Sequence, residues 1–246
     1  MTRGSARGVA HRHAAAAGGG RRPTQPAVLS ASWSRDSCRR ARLVLVRTRS
    51  VRVRETRAPP CEARGMTVWF VTHAEPVVDP TVPIGSWGLS PVGRARAGAW
   101  RAPVSCPVVS STERKAVETA ELVAGGRPVD QDPALGEIDR SATGYLPFDE
   151  FDALVDAFFA RPTESVRGWE RAVDAQDRIV TAVRSHAGAG DVVLVSHGAV
   201  GALLRASLSG EPIARTAEQP GMGSVLTLDP VSWRATSGWQ RLPLPA

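Results

Sequence analysis

The sequence predicts a three-layer α/β/α sandwich built on a mostly parallel central sheet, and three observations carry that prediction. Val68 to Thr72 and Val192 to Ser196 are short, β-branched apolar runs, each followed at once by a histidine, His73 and His197. Runs of that length and composition read as buried strands. From Met66 onward such runs alternate with stretches of helical spacing, the pattern of an α/β domain. Loops at the carboxyl ends of parallel strands share one edge, where ligands bind. Two histidines far apart in the chain can therefore meet in one pocket.

The elements follow in order. Val68 to Thr72 reads as a strand. Ser90-Pro91 is a helix start, with serine as cap and proline in the first turn, leading into Val92 to Trp100. Pro107 to Ser110 reads as a short strand and Thr112 to Val123 as a helix with Ala116, Ala120 and Val123 on one stripe. Arg127 to Asp132 is a connection with room for one short strand. Pro147 to Ala160 and Val166 to Ala187 both carry helical spacing, the second with Trp169, Val173, Val180 and Val183 as its buried face. Asp191 to Ser196 is a strand, Ala199 to Leu208 a helix, and Ser224 to Leu228 and Ser232 to Trp239 are closing strands. No internal repeat is visible.

Charge divides the 246 residues unevenly. The formal net charge is +7, yet residues 1–65 hold 15 arginines against Asp36, Glu55 and Glu62, while residues 66–246 hold 16 basic and 21 acidic side chains. The basic character thus belongs to an Arg-rich leader, expected to be disordered, and residues 66–246 are read as the folded domain. Within the leader, Arg42 to Arg54 alternates valine with arginine and could pair only on a sheet that receives it. Three origins compete for it: translated sequence upstream of a start at Met66, a disordered basic tail with scope for nucleic-acid binding, or an acid-poor transit peptide. The mildly acidic remainder is not expected to bind nucleic acid. Two of the three cysteines, Cys38 and Cys61, lie in the leader, leaving Cys106 as the only one in residues 66–246. That argues against a disulfide framework or a zinc site and fits a reducing, cytoplasmic setting. No apolar stretch approaches the roughly 18 residues that span a bilayer, and none supplies the apolar core of an export signal. No membrane partner is expected, and the oligomeric state is open.

The chemistry-bearing residues lie at junctions. Ser110-Ser111-Thr112-Glu113-Arg114-Lys115-Ala116 runs from a strand into a helix, whose free amides and positive dipole end suit an anion. His197-Gly198 sits at a second such junction, and Leu135-Gly136-Glu137-Ile138-Asp139 places carboxylates in a loop.

Taken together, these motifs resemble the histidine phosphatase superfamily, also called phosphoglycerate mutase-like. Its Arg-His-Gly-Glu is matched by Thr72-His73-Ala74-Glu75, its Leu-Thr-x-x-Gly by Leu89 to Gly93, and its Ser-Ser-Pro-x-x-Arg-Ala-x-x-Thr-Ala by Ser110 to Ala120. Its Leu-x-Glu-Ile-Asp is matched by Leu135 to Asp139 and its Val-Ser-His-Gly by Val195 to Gly198. The five come in the family's order from Met66 to about Leu208. The resemblance implies a phosphoglycerate mutase-like fold and a phosphomonoester hydrolase that needs neither metal nor cofactor. His73 would be the nucleophile that becomes phosphohistidine, with its other ring nitrogen donating to a fixed acceptor. His197 would stay protonated or donate to the transferring oxygens, and Glu137 would protonate the leaving oxygen and then assist water. Thr72, Ser110, Arg114 and Lys115 would surround the phosphate of a small phosphorylated metabolite or a phosphoprotein.

Two phosphate-holding arginines of the family are absent. Thr72 stands before the nucleophile, and Lys115, the only lysine of the chain, stands at the helix arginine. Lysine keeps the charge without the bidentate fork, and threonine keeps only a hydroxyl. Losing a charge-assisted hydrogen bond worth about 1.5–3 kcal/mol slows turnover roughly 10- to 150-fold. Arg140 or Arg94 could supply charge from another direction. The alternative reading is a weakly active or non-catalytic phospholigand-binding relative. Mutase activity is the lesser expectation, because the chain lacks long insertions to enclose a bisphosphorylated substrate. Specificity is expected in the loops Pro76–Trp87 and Ala142–Phe159.

Overall fold

The computed structural model describes residues 66–246 except Val104, Ser105, Ala189 and Ala246. The readings of residues 1–65, including disorder and the Arg42–Arg54 strand, lie outside the described residues. Seven strands form one sheet: β1 (Val68–Thr72), β2 (Val108–Ser110), β3 (Val129–Gln131), β4 (Val192–Ser196), β5 (Ser224–Asp229), β6 (Arg234–Ala235) and β7 (Gln240–Arg241). Their order is β3-β2-β4-β1-β5-β6, with β7 also on β5. β1 to β4 run parallel, and β5 is antiparallel to β1, as are β6 and β7 to β5. The pairing of Thr72 with Ser196 sets the following residues, His73 and His197, side by side at the carboxyl edge.

Helices cover both faces, which is why β1 and β4 are apolar throughout rather than alternating. Phe70, Leu194 and Leu226 point to one face, where they meet α4 (Ala172–Ala187) and α5 (Gly198–Ser209) through Ile179, Val183, Leu203 and Leu204. α3 (Phe148–Ala160) joins that layer with Val155, Phe158 and Phe159. Val71, Val193, Val195 and Val225 point to the other face, onto Ala116, Ala120 and Val123 of α2 (Arg114–Ala124). α1 (Pro91–Ala99) packs beside α2. Ser90 caps α1 by accepting from the Gly93 N–H at 2.9 Å and donates to Glu75 Oε1 at 2.7 Å. A methyl group at Gly93 would stand 2.1 Å from the Glu75 carbonyl oxygen, so glycine there lets α1 approach the chain just past His73.

Three segments differ from the sequence reading. α4 starts at Ala172 rather than Val166, because Arg167 and Gly168 both have positive φ and break the helix. Trp169 is buried, but from the loop; the buried stripe is Ala172, Ala175, Ile179, Ala182, Val183 and Ala187, with Val173 and Val180 only half-buried. The expected Ser232–Trp239 strand is cut to Arg234–Ala235, since Trp233 takes a positive φ and the chain returns only at Gln240–Arg241. α2 starts after Glu113, which leaves Ser111 and Thr112 in the loop.

Candidate active site

Main-chain bonds fix His73 before its side chain acts. Its N–H donates to the Ser196 carbonyl at 2.8 Å, and its own carbonyl accepts from the Gly223 N–H at 2.8 Å. Thr119 Oγ1 accepts from the Ala74 N–H at 3.0 Å and donates to the Lys115 carbonyl at 2.7 Å, tying the His73 loop to α2. The ring Nδ1 lies 2.8 Å from the Ala74 carbonyl. A carbonyl only accepts, so Nδ1 carries the proton and Nε2 keeps its lone pair. Burial lowers the His73 pKa to about 4; the Ala74 bond opposes this and the charge of Lys115 adds to it. At neutral pH the ring is an uncharged base with a free nitrogen.

His197 occupies the cap position of α5, and its ring centroid lies 5.2 Å from that of His73. It has no exposed surface. Nε2 lies 2.6 Å from Ser111 Oγ and 3.4 Å from Glu113 Oε1, whereas Nδ1 is buried without a hydrogen-bond partner. Burial, followed by the charges of His73, Lys115, Arg178 and Arg140, holds its pKa well below the ordinary value. Of the two forms expected for His197, protonated or hydrogen-bond donor, this burial favours the neutral donor.

Glu137 lies in the loop 135–139 and sets its carboxylate against the first turn of α5. Its Oε2 accepts from the Ala199 N–H at 3.2 Å, and its Oε1 from the Val200 N–H at 3.2 Å and the Ile138 N–H at 3.1 Å. Burial is the largest influence and raises its pKa, helped by nearby Glu113 and opposed by the Ile138 and Ala199 amides and by Arg140. Arg178 holds the loop behind it. The guanidinium donates to the Ala134, Gly136 and Glu137 carbonyls at 3.0, 2.9 and 3.2 Å and is held by both oxygens of Glu170.

The expected phosphate contacts divide. Lys115 lines the pocket, with Nζ paired to Glu113 Oε2 and 3.3 Å from the Ile84 carbonyl. Thr72 turns away from it: its hydroxyl accepts from the Ser224 N–H at 3.0 Å and donates to the Ser224 carbonyl at 3.3 Å. Ser110 is buried, its hydroxyl without a hydrogen-bond partner. Arg114 is exposed on α2 and bound to Glu118 at 2.8 Å, one helical step from the site. Arg94 shares Glu118, whereas Arg140 does line the pocket, 4.8 Å over the Phe151 ring. Neither Thr72 nor Arg114 lines the chamber: the Thr72 hydroxyl is bonded to β5, and Arg114 points outward. Sequence reasoning missed Glu113, Arg178 and Thr119. Only Thr119 had a signal, as the threonine of the Thr-Ala motif.

His73, Lys115, Glu137 and Arg140 share a chamber of about 460 Å³. Its remaining wall is mostly apolar, with Trp87, Tyr145, Leu146, Phe148, Phe151 and Phe158 prominent. Arg215, also on the wall, is bound to Asp152, Asp156 and Glu218. The aromatic residues come from the segments Pro76–Trp87 and Ala142–Phe159 expected to carry specificity, the second largely the helix α3. Among the described residues no helix is long and apolar enough to cross a membrane.

No curated protein sequence matches this chain. Solved structures do. TTHB049 from Thermus thermophilus is 25% identical with a TM-score of 0.57, the match covering 72% of this chain and 100% of that one. YhfR from Bacillus stearothermophilus is 27% identical with a TM-score of 0.56, over 65% of this chain and 89% of its own. A mycobacterial glucosyl-3-phosphoglycerate phosphatase in complex with VO3 is 25% identical with a TM-score of 0.55, over 71% and 96%. The family model for the histidine phosphatase superfamily, branch 1, matches residues 82–236. Its match begins after the His73 loop, where Thr72 and Ala74 depart from the family pattern, and takes in the α2, Glu137 and His197 motifs. Family and neighbours together support a phosphatase- or mutase-type enzyme. The chain belongs to the histidine phosphatase superfamily.

Proposed function

We propose that the protein is a phosphomonoester hydrolase that works through a phosphohistidine on His73, with no metal ion in the chemical step. The observation that carries this reading is the His73 ring, neutral and with Nδ1–H bound to the Ala74 carbonyl, so that Nε2 is free in a chamber shared with Glu137 and Lys115. The Nε2 lone pair attacks phosphorus while the bond to the leaving oxygen breaks. Glu137, its carboxyl pKa raised by burial, gives its proton to that oxygen. The resulting carboxylate takes a proton from water, whose oxygen attacks phosphorus and breaks the P–N bond. Lys115 and Arg140 balance the phosphoryl charge, and His197 donates to its oxygens.

The chamber also supports a substrate class. Its volume suits a small phosphomonoester, and its aromatic wall suits an apolar leaving group. Arg215 is already engaged by three carboxylates, which leaves little provision for a second phosphate and favours hydrolase over mutase. The mycobacterial neighbour acts on a phosphorylated sugar acid; the wall here favours a less polar alcohol. Burying about 100 Å² of apolar leaving group is worth about 2.5 kcal/mol, roughly 50-fold in kcat/KM. A weakly active relative is the second reading, favoured by one observation, the diversion of the Thr72 hydroxyl to Ser224.

The test is turnover by the full chain. A naphthyl phosphate should be hydrolysed at least tenfold more efficiently than a phosphorylated sugar acid, and His73→Ala should abolish hydrolysis of both. Radiolabelled phosphate trapped during turnover should be stable in alkali and lost in acid, as a P–N bond requires. Undiminished turnover in the His73→Ala protein would exclude the mechanism.

A further inference from the structure

Glu113 was not among the residues the motifs single out, yet its carboxylate touches three groups of the site. One carboxylate oxygen meets Lys115 Nζ. The other lies 3.4 Å from His197 Nε2 and accepts from the Glu137 N–H at 3.4 Å. Two of these three groups, Lys115 and His197, are those the proposed mechanism needs for phosphate, and one internal anion faces both. The His197 ring has no exposed surface and does not reach the chamber wall, its Nε2 facing Ser111 Oγ at 2.6 Å and Glu113 Oε1 at 3.4 Å, while the Glu113 side chain retains 22% exposure. The Lys115 side chain, 6% exposed, has the Ile84 carbonyl as its second partner.

We infer that Glu113 is an internal ligand of the phosphate seat, and that substrate phosphate binds by displacing it. The inference rests on the phosphohydrolase reading and adds a specificity-determining residue to it. A phosphate dianion entering beside Glu113 would meet its carboxylate and a lysine already neutralised by it. With Glu113 swung toward solvent, Lys115 is released, and His197 Nε2 is opened on the side facing Glu113 while Ser111 Oγ stays 2.6 Å from it. Displacing Glu113 gives up its contacts with Lys115, His197 and the Glu137 N–H but no capping bond to α2, although it occupies the cap position. The consequence is a site that discriminates by leaving group. Phosphate alone binds weakly against the internal carboxylate, and an ester that also fills the apolar chamber gains enough to displace it.

The experiment titrates inorganic phosphate into the full chain by calorimetry, comparing it with Glu113→Gln and Glu113→Ser; serine keeps a side chain favoured at a helix cap. Both variants should bind phosphate about tenfold more tightly or better, with KM for an aryl phosphate lowered in step and unfolding temperature unchanged. A purely structural role would change the unfolding temperature and leave the phosphate affinity alone. Equal or weaker phosphate binding in both variants overturns the inference, and the phosphohydrolase reading then stands if His73→Ala still abolishes turnover. Absence of phosphate binding in all three proteins, together with His73-independent turnover, overturns both.

Discussion

Thr72 shows how a single side chain at the expected place can serve another purpose. Its hydroxyl accepts from the Ser224 N–H at the point where β5 joins β1. Thr72→Val keeps the shape and strands that buried amide, at a cost of about 1–3 kcal/mol. We expect the midpoint of denaturant unfolding to fall accordingly while kcat/KM stays within about twofold. A loss of 10- to 150-fold in kcat/KM, the range for a vanished phosphate contact, would return Thr72 to the site. Not every site residue was equally legible beforehand. His73, His197 and Lys115 could be placed from the sequence because each follows a strand end or opens a helix, so the backbone alone brings it to the sheet edge. Glu113 could not, since its role depends on which way one side chain turns once Lys115 and His197 are in place. The direction of Arg114 was hidden for the same reason: one position along α2 is a rotation of about 100°, enough to turn it from Lys115's side to the surface beside Glu118.

At the scale of elements, the proposed general acid depends on a helix it does not belong to. Glu137 lies in a loop, and Arg178 on α4 bonds three carbonyls of the segment Ala134–Glu137. Arg178→Met removes these tethers and leaves the phosphate seat intact. Misplacement of a catalytic group by about 1 Å can cost 10²-fold. The expected outcome is therefore a kcat lowered about 10- to 100-fold, with KM and inorganic phosphate affinity little changed. Arg178→Lys should not restore it, because one ammonium cannot reach three carbonyls and Glu170 together. A variant that loses kcat and phosphate affinity equally would show instead that the whole edge had collapsed. The tether leaves no trace in the sequence, where even the start of α4 is obscured. Arg167 and Gly168 give no helix-breaking signal strong enough to outweigh the apolar spacing through Trp169, yet their positive φ values move the helix start to Ala172. Where breakers and caps are explicit, as at Ser90-Pro91, the helix is placed to within one residue at each end.

For the whole molecule, the parallel core β1 to β4 explains why strand alternation sufficed to predict the layers. The sheet order β3-β2-β4-β1 is set by packing between distant segments and left no local trace. The same packing buries two histidines at one edge, and this makes folding stability depend on acid. The folded-state pKa of His73 is lowered from 6.5 to about 4, and that of His197 is also lowered. Between those values the unfolded chain binds protons that the folded chain refuses, so stability is complete above about pH 6.5 and is lost as pH falls toward 4. Glu137, with its raised pKa, acts in the opposite sense over its own window and offsets part of the loss. His73 is isolated by His73→Asn, which keeps an N–H donor for the Ala74 carbonyl and cannot titrate. A shift of that size corresponds to about 3 kcal/mol between neutral pH and pH 4. Urea unfolding measured across this range should show the wild-type stability falling more steeply than that of the variant by about that amount. Parallel curves would mean that His73 is protonated in the folded protein at mildly acid pH, and its standing as a neutral nucleophile would fall with them.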